Sequence, residues 1–381
     1  MKYRNLVLTF FLTSTALLSF FIGIIFYQDP LKIFHTPWKN ENYLQTNMRE
    51  QALGILKYWK YDSLILGTSI LENTSSREAS ELLGGAFINI SIAGSDYFER
   101  SIILNYALKN KRINKIIYSL DNIGATRKGD PLYSYKKWNY LYDSNPFNDI
   151  YIYLNSKYLK CMFSLGGKKN CKGIKRDLDR PKAWYQNKHD IATFGGFDEW
   201  IKHKDSTNMK HAFQLINQSL KKIKEGHYVD NQQRIILGRG RTKKYINKYI
   251  LTHAQAYPNT EFILLVPPYS RLVDSLVAQK DMDSFVVYLK SIKYLVRLSV
   301  QQKNIKIYAW GNEDFLDDIA NYRDLTHYSE KINSWMLHAI QKERGLLTMQ
   351  NVNQYLQVVI DKTLKYDLSY FDDKMKTAAI K

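Results

Sequence analysis

The longest apolar run in the chain lies at its start. Leu6 to Phe26 read LVLTFFLTSTALLSFFIGIIF without a charge, a length that crosses the hydrocarbon core of a bilayer as a helix. Beyond it the apolar runs are short and recur. Residues 62–67, 86–90, 114–120, 261–266 and 305–310 are each a short stretch with an apolar centre ended by Gly, Pro, Asn, Asp or Ser. Runs of that length read as strands buried on both faces. Amphipathic helices are expected between them, over about 70–83, 97–110, 242–256 and 282–302. A further helix begins at Ser329, and the tail from Leu346 to Phe371 reads as helical. Strand-then-helix units in succession argue for an α/β fold with a mainly parallel, five-stranded sheet. From about 124 to 238 the pattern dissolves. A stretch of that size is either a cap over the sheet edge or a surface insertion.

This pattern divides the chain into a membrane segment (1–28), a connector (29–60), an α/β domain (61–345) interrupted by the 124–238 insertion, and a helical tail (346–381). Lys2 and Arg4 precede the membrane segment. By the positive-inside rule the N-terminus stays in the cytoplasm and the rest is exported, giving single-pass attachment to the inner membrane. A cleaved signal peptide would have a shorter apolar region and a small-residue cleavage site, whereas this run continues into Ile25-Phe26-Tyr27-Gln28-Asp29-Pro30.

Composition changes the picture in three places. The formal net charge is +19, which favours an anionic partner such as an acidic glycan or a phospholipid surface. No RNP-like aromatics, spaced Cys/His or basic recognition helix argue for nucleic acid. Cys161 and Cys171, the only cysteines, are ten positions apart in a Lys- and Gly-rich loop. In an exported chain they form a small disulfide loop or remain two thiols, with the disulfide favoured. His35, His189, His203, His211, His227, His253 and His338 show no metal-ligand spacing, so no metal and no cofactor is expected.

The chemistry concentrates in two segments. Tyr61-Asp-Ser-Leu-Ile-Leu-Gly-Thr-Ser69 ends a buried strand in a turn that delivers Ser69 to the carboxyl edge of the sheet, where open α/β folds place ligands. By itself such a serine is more often a helix N-cap. Asp324-Leu-Thr-His327 follows the last strand. An aspartate three residues before a histidine can hold its Nδ1, leaving Nε2 to accept a proton from a hydroxyl. In a strand order such as 2-1-3-4-5 both turns open on the same edge, so only one long-range approach is needed. Pro267-Pro268-Tyr269-Ser-Arg271 follows the fourth strand. Tyr269 and Arg271 are weak candidates for substrate contact.

The order Gly67-Thr-Ser69, Asn89-Ile-Ser-Ile-Ala-Gly94, Asp121-Asn122 and Asp324-Leu-Thr-His327 resembles the SGNH (GDSL-like) hydrolase superfamily over roughly 60–123 and 260–340. The nearest match is its membrane-anchored subgroup, similar to DltD-like and alginate-acetylation proteins, which work beside membrane-bound O-acyltransferases. The resemblance implies a flavodoxin-like three-layer α/β/α sandwich with Ser69 as nucleophile, His327 as base and Asp324 as its orienter. It implies oxyanion donors at the Ser69 and Gly94 N–H groups and the Asn122 side chain, with Thr68 and Asn89 near the substrate. Two departures stand out. Gly-Thr-Ser replaces the usual Gly-Asp-Ser, and Ser119-Leu-Asp-Asn122 replaces Gly-x-Asn-Asp, leaving open whether Asp121 or Asn122 faces the site. The expected activity is that of a serine esterase or O-acyltransferase acting on a cell-envelope polysaccharide or other acylated glycan. The competing expectation is a non-catalytic anchored protein that binds an anionic glycan or a membrane acyltransferase.

Overall fold

A computed structural model describes residues 2–36, 38, 43–124, 133–163, 173–175, 179–181, 188–226 and 231–380. The strands in chain order are β1 (Tyr43–Leu44), β2 (Ser63–Leu66), β3 (Phe87–Asn89), β4 (Lys115–Ser119), β5 (Ile174–Lys175), β6 (Glu261–Val266), β7 (Ile305–Ala309) and β8 (Leu346–Leu347). Six of them form one sheet in the order β3-β2-β4-β6-β7-β8. The first five are parallel, and β8 runs antiparallel to β7. The register sets Leu64 between Ile88 and Ile116, Ile117 beside Ile263, and Leu264 beside Ile307. The chain therefore leaves β2 for β3 on one side and returns to β4 on the other. Strand direction reverses its lateral progress at that point, which is where α/β sheets open a crevice.

The sheet is parallel because its strands can be buried on both faces. Every residue of β2 is buried, as is every residue of β4 and β6 after the first. Ile65, Ile117, Ile263, Leu265 and Tyr308 enter one cluster with Trp200, Phe213, Leu272, Met336 and Ile340. With a period of two, Leu64, Leu66, Ile116, Tyr118, Leu264 and Ile307 are buried on the other face. There Tyr118 meets Arg100 of the helix Tyr97–Asn110. Each fully buried aliphatic side chain stabilises the fold by about 1.5–3 kcal/mol.

Two expectations differ from what is observed. The sheet has a sixth strand, because Leu346–Leu347 pair with Tyr308 and Ile307 before the helix Val352–Lys365 begins. Two leucines are too few to show a strand period, so the segment reads as part of the following helix. The stretch 124–238 is also not one body. The chain forms two compact units, Met1–Lys60 with Leu132–Asp177, and Tyr61–Pro131 with Leu178–Lys381. In the second unit, Phe197, Trp200, Met209, Phe213 and Ile216 belong to the main hydrophobic cluster. The helix Thr207–Glu225 buries Met209, Ala212, Phe213, Ile216 and Leu220, an apolar stripe at helical spacing.

The first unit holds the apolar helix Lys2–Gln28. Its span Tyr3–Gln28, of mean hydropathy 2.1, is long and apolar enough to cross a membrane. The chain then turns about Asp29, whose carboxylate accepts from the N–H groups of Ile33 (2.9 Å) and Phe34 (2.8 Å) and from the Tyr153 hydroxyl (2.5 Å). Residues 29–60, read as a connector, contain β1, paired antiparallel with β5, and the helix Met48–Tyr58. Cys161 lies on the helix Ser156–Phe163 and is disulfide-bonded. Cys171 lies outside the described residues.

Candidate active site

All site residues lie in the second unit. Ser69 leaves the carboxyl end of β2 on a turn whose geometry Gly67 makes possible. A Cβ at Gly67 would lie 2.6 Å from Ser119 Oγ and 2.8 Å from Leu71 Cδ1, closer than real side chains approach. Thr68 Oγ1 donates to Asp121 Oδ1 at 2.9 Å, so the turn is tied to the end of β4. Asn333 donates to Ile70 O (3.0 Å) and Thr74 Oγ1 (2.8 Å), and Asn89 to Leu71 O (2.7 Å) and Thr74 O (2.8 Å). These buried amides fix the backbone that carries Ser69, and each would cost about 1–3 kcal/mol if left unsatisfied.

His327 arrives on a short closed loop. Tyr322 and Tyr328 bridge its two ends, and Arg323 N–H donates to His327 O at 3.0 Å. Inside it, Asp324 Oδ1 accepts from the N–H groups of Thr326 (3.0 Å) and His327 (2.9 Å), while Oδ2 lies 2.8 Å from His327 Nδ1. Burial pushes the Asp324 carboxyl up, but the His327 charge and these hydrogen bonds together hold it well below the usual carboxylate range. An ionised carboxylate at Nδ1 selects the tautomer whose Nε2 is a free acceptor. That nitrogen lies 2.9 Å from Ser69 Oγ. Ser69, His327 and Asp324 are therefore in line at hydrogen-bond distances, which is the geometric condition for activating a serine.

Facing Ser69 is a cleft of about 310 Å³ whose lining includes Gly94, Tyr97, Asn122, Tyr245, Tyr269 and His327. Gly94 has φ +62, and a Cβ there would meet nothing within 4 Å, so its backbone is bare toward the cleft. Asn122 is exposed and has φ +51, a left-handed conformation that asparagine tolerates. Among the described residues, no hydrogen bond occupies the N–H groups of Ser69 or Gly94 or the Asn122 amide. Three donors of this kind on one cleft can serve a developing oxyanion.

Both Asp121 and Asn122 line the cleft, and their surroundings separate them. The Asp121 carboxylate is buried, accepts from Thr68, Ser119 and Tyr269, and lies 3.3 Å from Arg100 Nη1. Arg100 is fully buried, with its guanidinium over the rings of Tyr97 (4.7 Å) and Tyr118 (4.4 Å). Tyr97 donates to Asp121 O at 2.9 Å. Burial, and next the Asp121 charge, push the Tyr269 phenol well above its ordinary value, which keeps it a donor. The negative charge of Asp121 is thus neutralised, and the Asn122 amide is left with its hydrogen-bonding capacity unused.

Of the residues singled out from the sequence, Ser69, His327, Asp324, Gly94, Asn122, Thr68 and Tyr269 are brought together. Two are placed otherwise. Arg271 is fully buried and holds Asp317 Oδ1 (2.8 Å), Gly311 O (2.6 Å) and Glu313 O (3.1 Å), because its helix starts with its side chain turned inward. Asn89 is buried in the scaffolding of the Ser69 turn and does not line the cleft. Arg100, Tyr97 and Tyr245 were missed. Arg100 left a trace: it interrupts the buried stripe Tyr97, Ile103, Leu104, Ala107 and Leu108, and a charge on a core stripe needs a buried partner. A wider groove of about 670 Å³, lined by Asp317, Asp361, Tyr366 and Tyr370 among others, contains no serine or histidine. Among the described residues no cluster of His, Cys, Asp and Glu is arranged to hold a metal ion. Compared with protein-family models, curated proteins and solved structures, the chain matches none.

Proposed function

We propose that this chain is a membrane-anchored acyl-transfer enzyme of the SGNH type, with the flavodoxin-like sandwich of that superfamily, working outside the cytoplasm on an acylated cell-envelope glycan. The observation that carries the reading is the line Ser69 Oγ to His327 Nε2 (2.9 Å) and His327 Nδ1 to Asp324 Oδ2 (2.8 Å) beside vacant hydrogen-bond donors. Ser69 Oγ attacks an acyl carbonyl while His327 takes its proton. The Ser69 and Gly94 N–H groups and Asn122 hold the oxyanion. The leaving alcohol takes the proton from His327, and the acyl group remains on Ser69. Water or a sugar hydroxyl then attacks the ester, His327 again carrying the proton, and Ser69 is regenerated. Each oxyanion donor lowers the barrier by about 3–4 kcal/mol.

Tyr97, Tyr245 and Tyr269 give the cleft an aromatic lining, which suits the apolar faces of sugar rings. The Cys161 disulfide suits an oxidising compartment. The helix Tyr3–Gln28 with Lys2 and Arg4 ahead of its apolar run suits an anchor with a cytoplasmic N-terminus. A membrane-bound O-acyltransferase that supplies or accepts the acyl group fits the same arrangement. The direct test is incubation of the full chain with activated aryl esters. Release of the phenol with an acyl mass increment on the Ser69 peptide supports the reading. Neither release nor increment from a panel of such esters overturns it in favour of an anchored binding protein.

A further inference from the structure

A second feature of the same unit concerns where the cleft works. Between Asp230 and Glu261 the sequence has six Lys or Arg residues and no Asp or Glu. The helix Gln232–Ile246 and the π-helical segment Asn247–Leu251 that continues it occupy much of this stretch. Ile235, Gly238, Thr242 and Ile246 are buried on one face, where Gly238 approaches Val287 of the helix Met282–Gln301. At 100° per residue the opposite face carries Gln233, Ile236, Leu237, Gly240, Lys243, Lys244, Asn247 and Lys248, all exposed. Ile236 is 63% and Leu237 55% exposed. Lone exposed aliphatics are ordinary. Here two adjacent ones share a face with three lysines, and no carboxylate among the described residues lies within ion-pair distance of Lys243, Lys244 or Lys248. Arg234 differs, being paired with Asp281 and Asp283.

We infer that this face seats on an anionic phospholipid surface. Lysines alone would suit an acidic glycan equally well. An exposed Ile-Leu pair gains nothing from a hydrated sugar chain, but it does gain from the headgroup–acyl boundary of a bilayer, where the flanking ammonium groups meet lipid phosphates. The same chain carries the helix Tyr3–Gln28, long and apolar enough to cross a membrane. Tyr245, on the flank of the helix Gln232–Ile246, lines the Ser69 cleft, so seating the face brings the cleft to the lipid surface. The inference rests on the membrane anchor of the proposed function and not on its chemistry.

The test uses the full chain in nanodiscs, single chains per disc, with a polarity-sensitive fluorophore on Leu237→Cys. Among the described residues no free cysteine competes for the label. Discs of phosphatidylcholine with phosphatidylglycerol and a nitroxide-bearing lipid should quench the label, while Val300→Cys, an exposed position on the helix Met282–Gln301, stays unquenched. Charge reversal at Lys243, Lys244 and Lys248 should lower the seated-to-lifted ratio by roughly fivefold per lysine or more. A label at 237 as accessible to water as the one at 300 overturns the inference. So does quenching that appears only with two chains per disc, which assigns the face to a second copy. Phosphonate labelling of Ser69 in the same discs reports the catalytic reading separately, so either can fail without the other.

Discussion

Two carboxylates bear on the Ser69 cleft, and they are held in different ways. Asp324 is bound by its own loop: two backbone N–H groups and an imidazole three residues ahead. Asp121 is bound by the rest of the unit, by Thr68 from the neighbouring strand, Tyr269 beyond β6 and Arg100 from the helix Tyr97–Asn110. The first keeps its charge turned toward His327. The second has its charge cancelled by Arg100 beside the unoccupied donors that the proposed reaction would use. In the proposed reaction the local arrangement would serve proton transfer, and the distributed one would prepare the oxyanion side. The difference teaches that similar groups at one cleft take opposite roles according to which partner each is given.

The largest effect that separates them is expected at Asp324. Asp324→Asn should lower turnover by about ten-thousandfold while leaving the fold, because its charge acts through His327. Its stability cost should also depend on pH. A depressed carboxylate contributes stability fully above its unfolded value of about 3.9, and loses it as pH falls through its lower folded value. Thermal melts of parent and variant should therefore differ at neutral pH and converge in acid. Equal melts at every pH would place Asp324 outside the network described.

Next comes the Arg100–Asp121 pair. Arg100→Met leaves a buried carboxylate unpaired and should cost about 3–5 kcal/mol of stability, measured by denaturant unfolding. The double variant Arg100→Met/Asp121→Leu should recover a large part of that loss. Simple additivity of the two single changes would break the claim that they neutralise each other.

Asn122→Ala should lower kcat by about a hundredfold or more with little change in melting temperature, as for a lost oxyanion donor. An unchanged kcat would leave the oxyanion to the two backbone N–H groups. The smallest effect is expected from Tyr269→Phe, which removes one long hydrogen bond (3.3 Å) to Asp121 worth about 1 kcal/mol. If it instead matched Arg100→Met, Tyr269 and not the guanidinium would be the partner that matters.

The same contrast marks what could be read from the chain. Asp324 and His327 were legible because their bond spans three residues, and the five parallel strands because each is a short segment with an apolar centre bounded by turn residues. Arg100 and Asp121 are twenty-one residues and one strand apart, so only the oddity of an arginine on a buried stripe hinted at the pair. Leu346–Leu347 formed a sixth strand by borrowing the edge of β7, a tertiary event that two residues cannot announce. The stripe Met209, Phe213, Ile216 and Leu220 was in plain view at helical spacing. A Lys-rich helix near 208–225 is legible there, but the irregular segments around it made 124–238 read as a single insertion, and its packing into the main core is a tertiary fact.

The central claim is that Ser69 is a serine activated by His327. Its most direct measurement is labelling of the full chain with a fluorophosphonate, followed by peptide mapping, for the parent and for Ser69→Ala. The account predicts a single adduct on Ser69 that disappears in the variant and forms far more slowly in His327→Ala. Equal labelling of the parent and Ser69→Ala would contradict it.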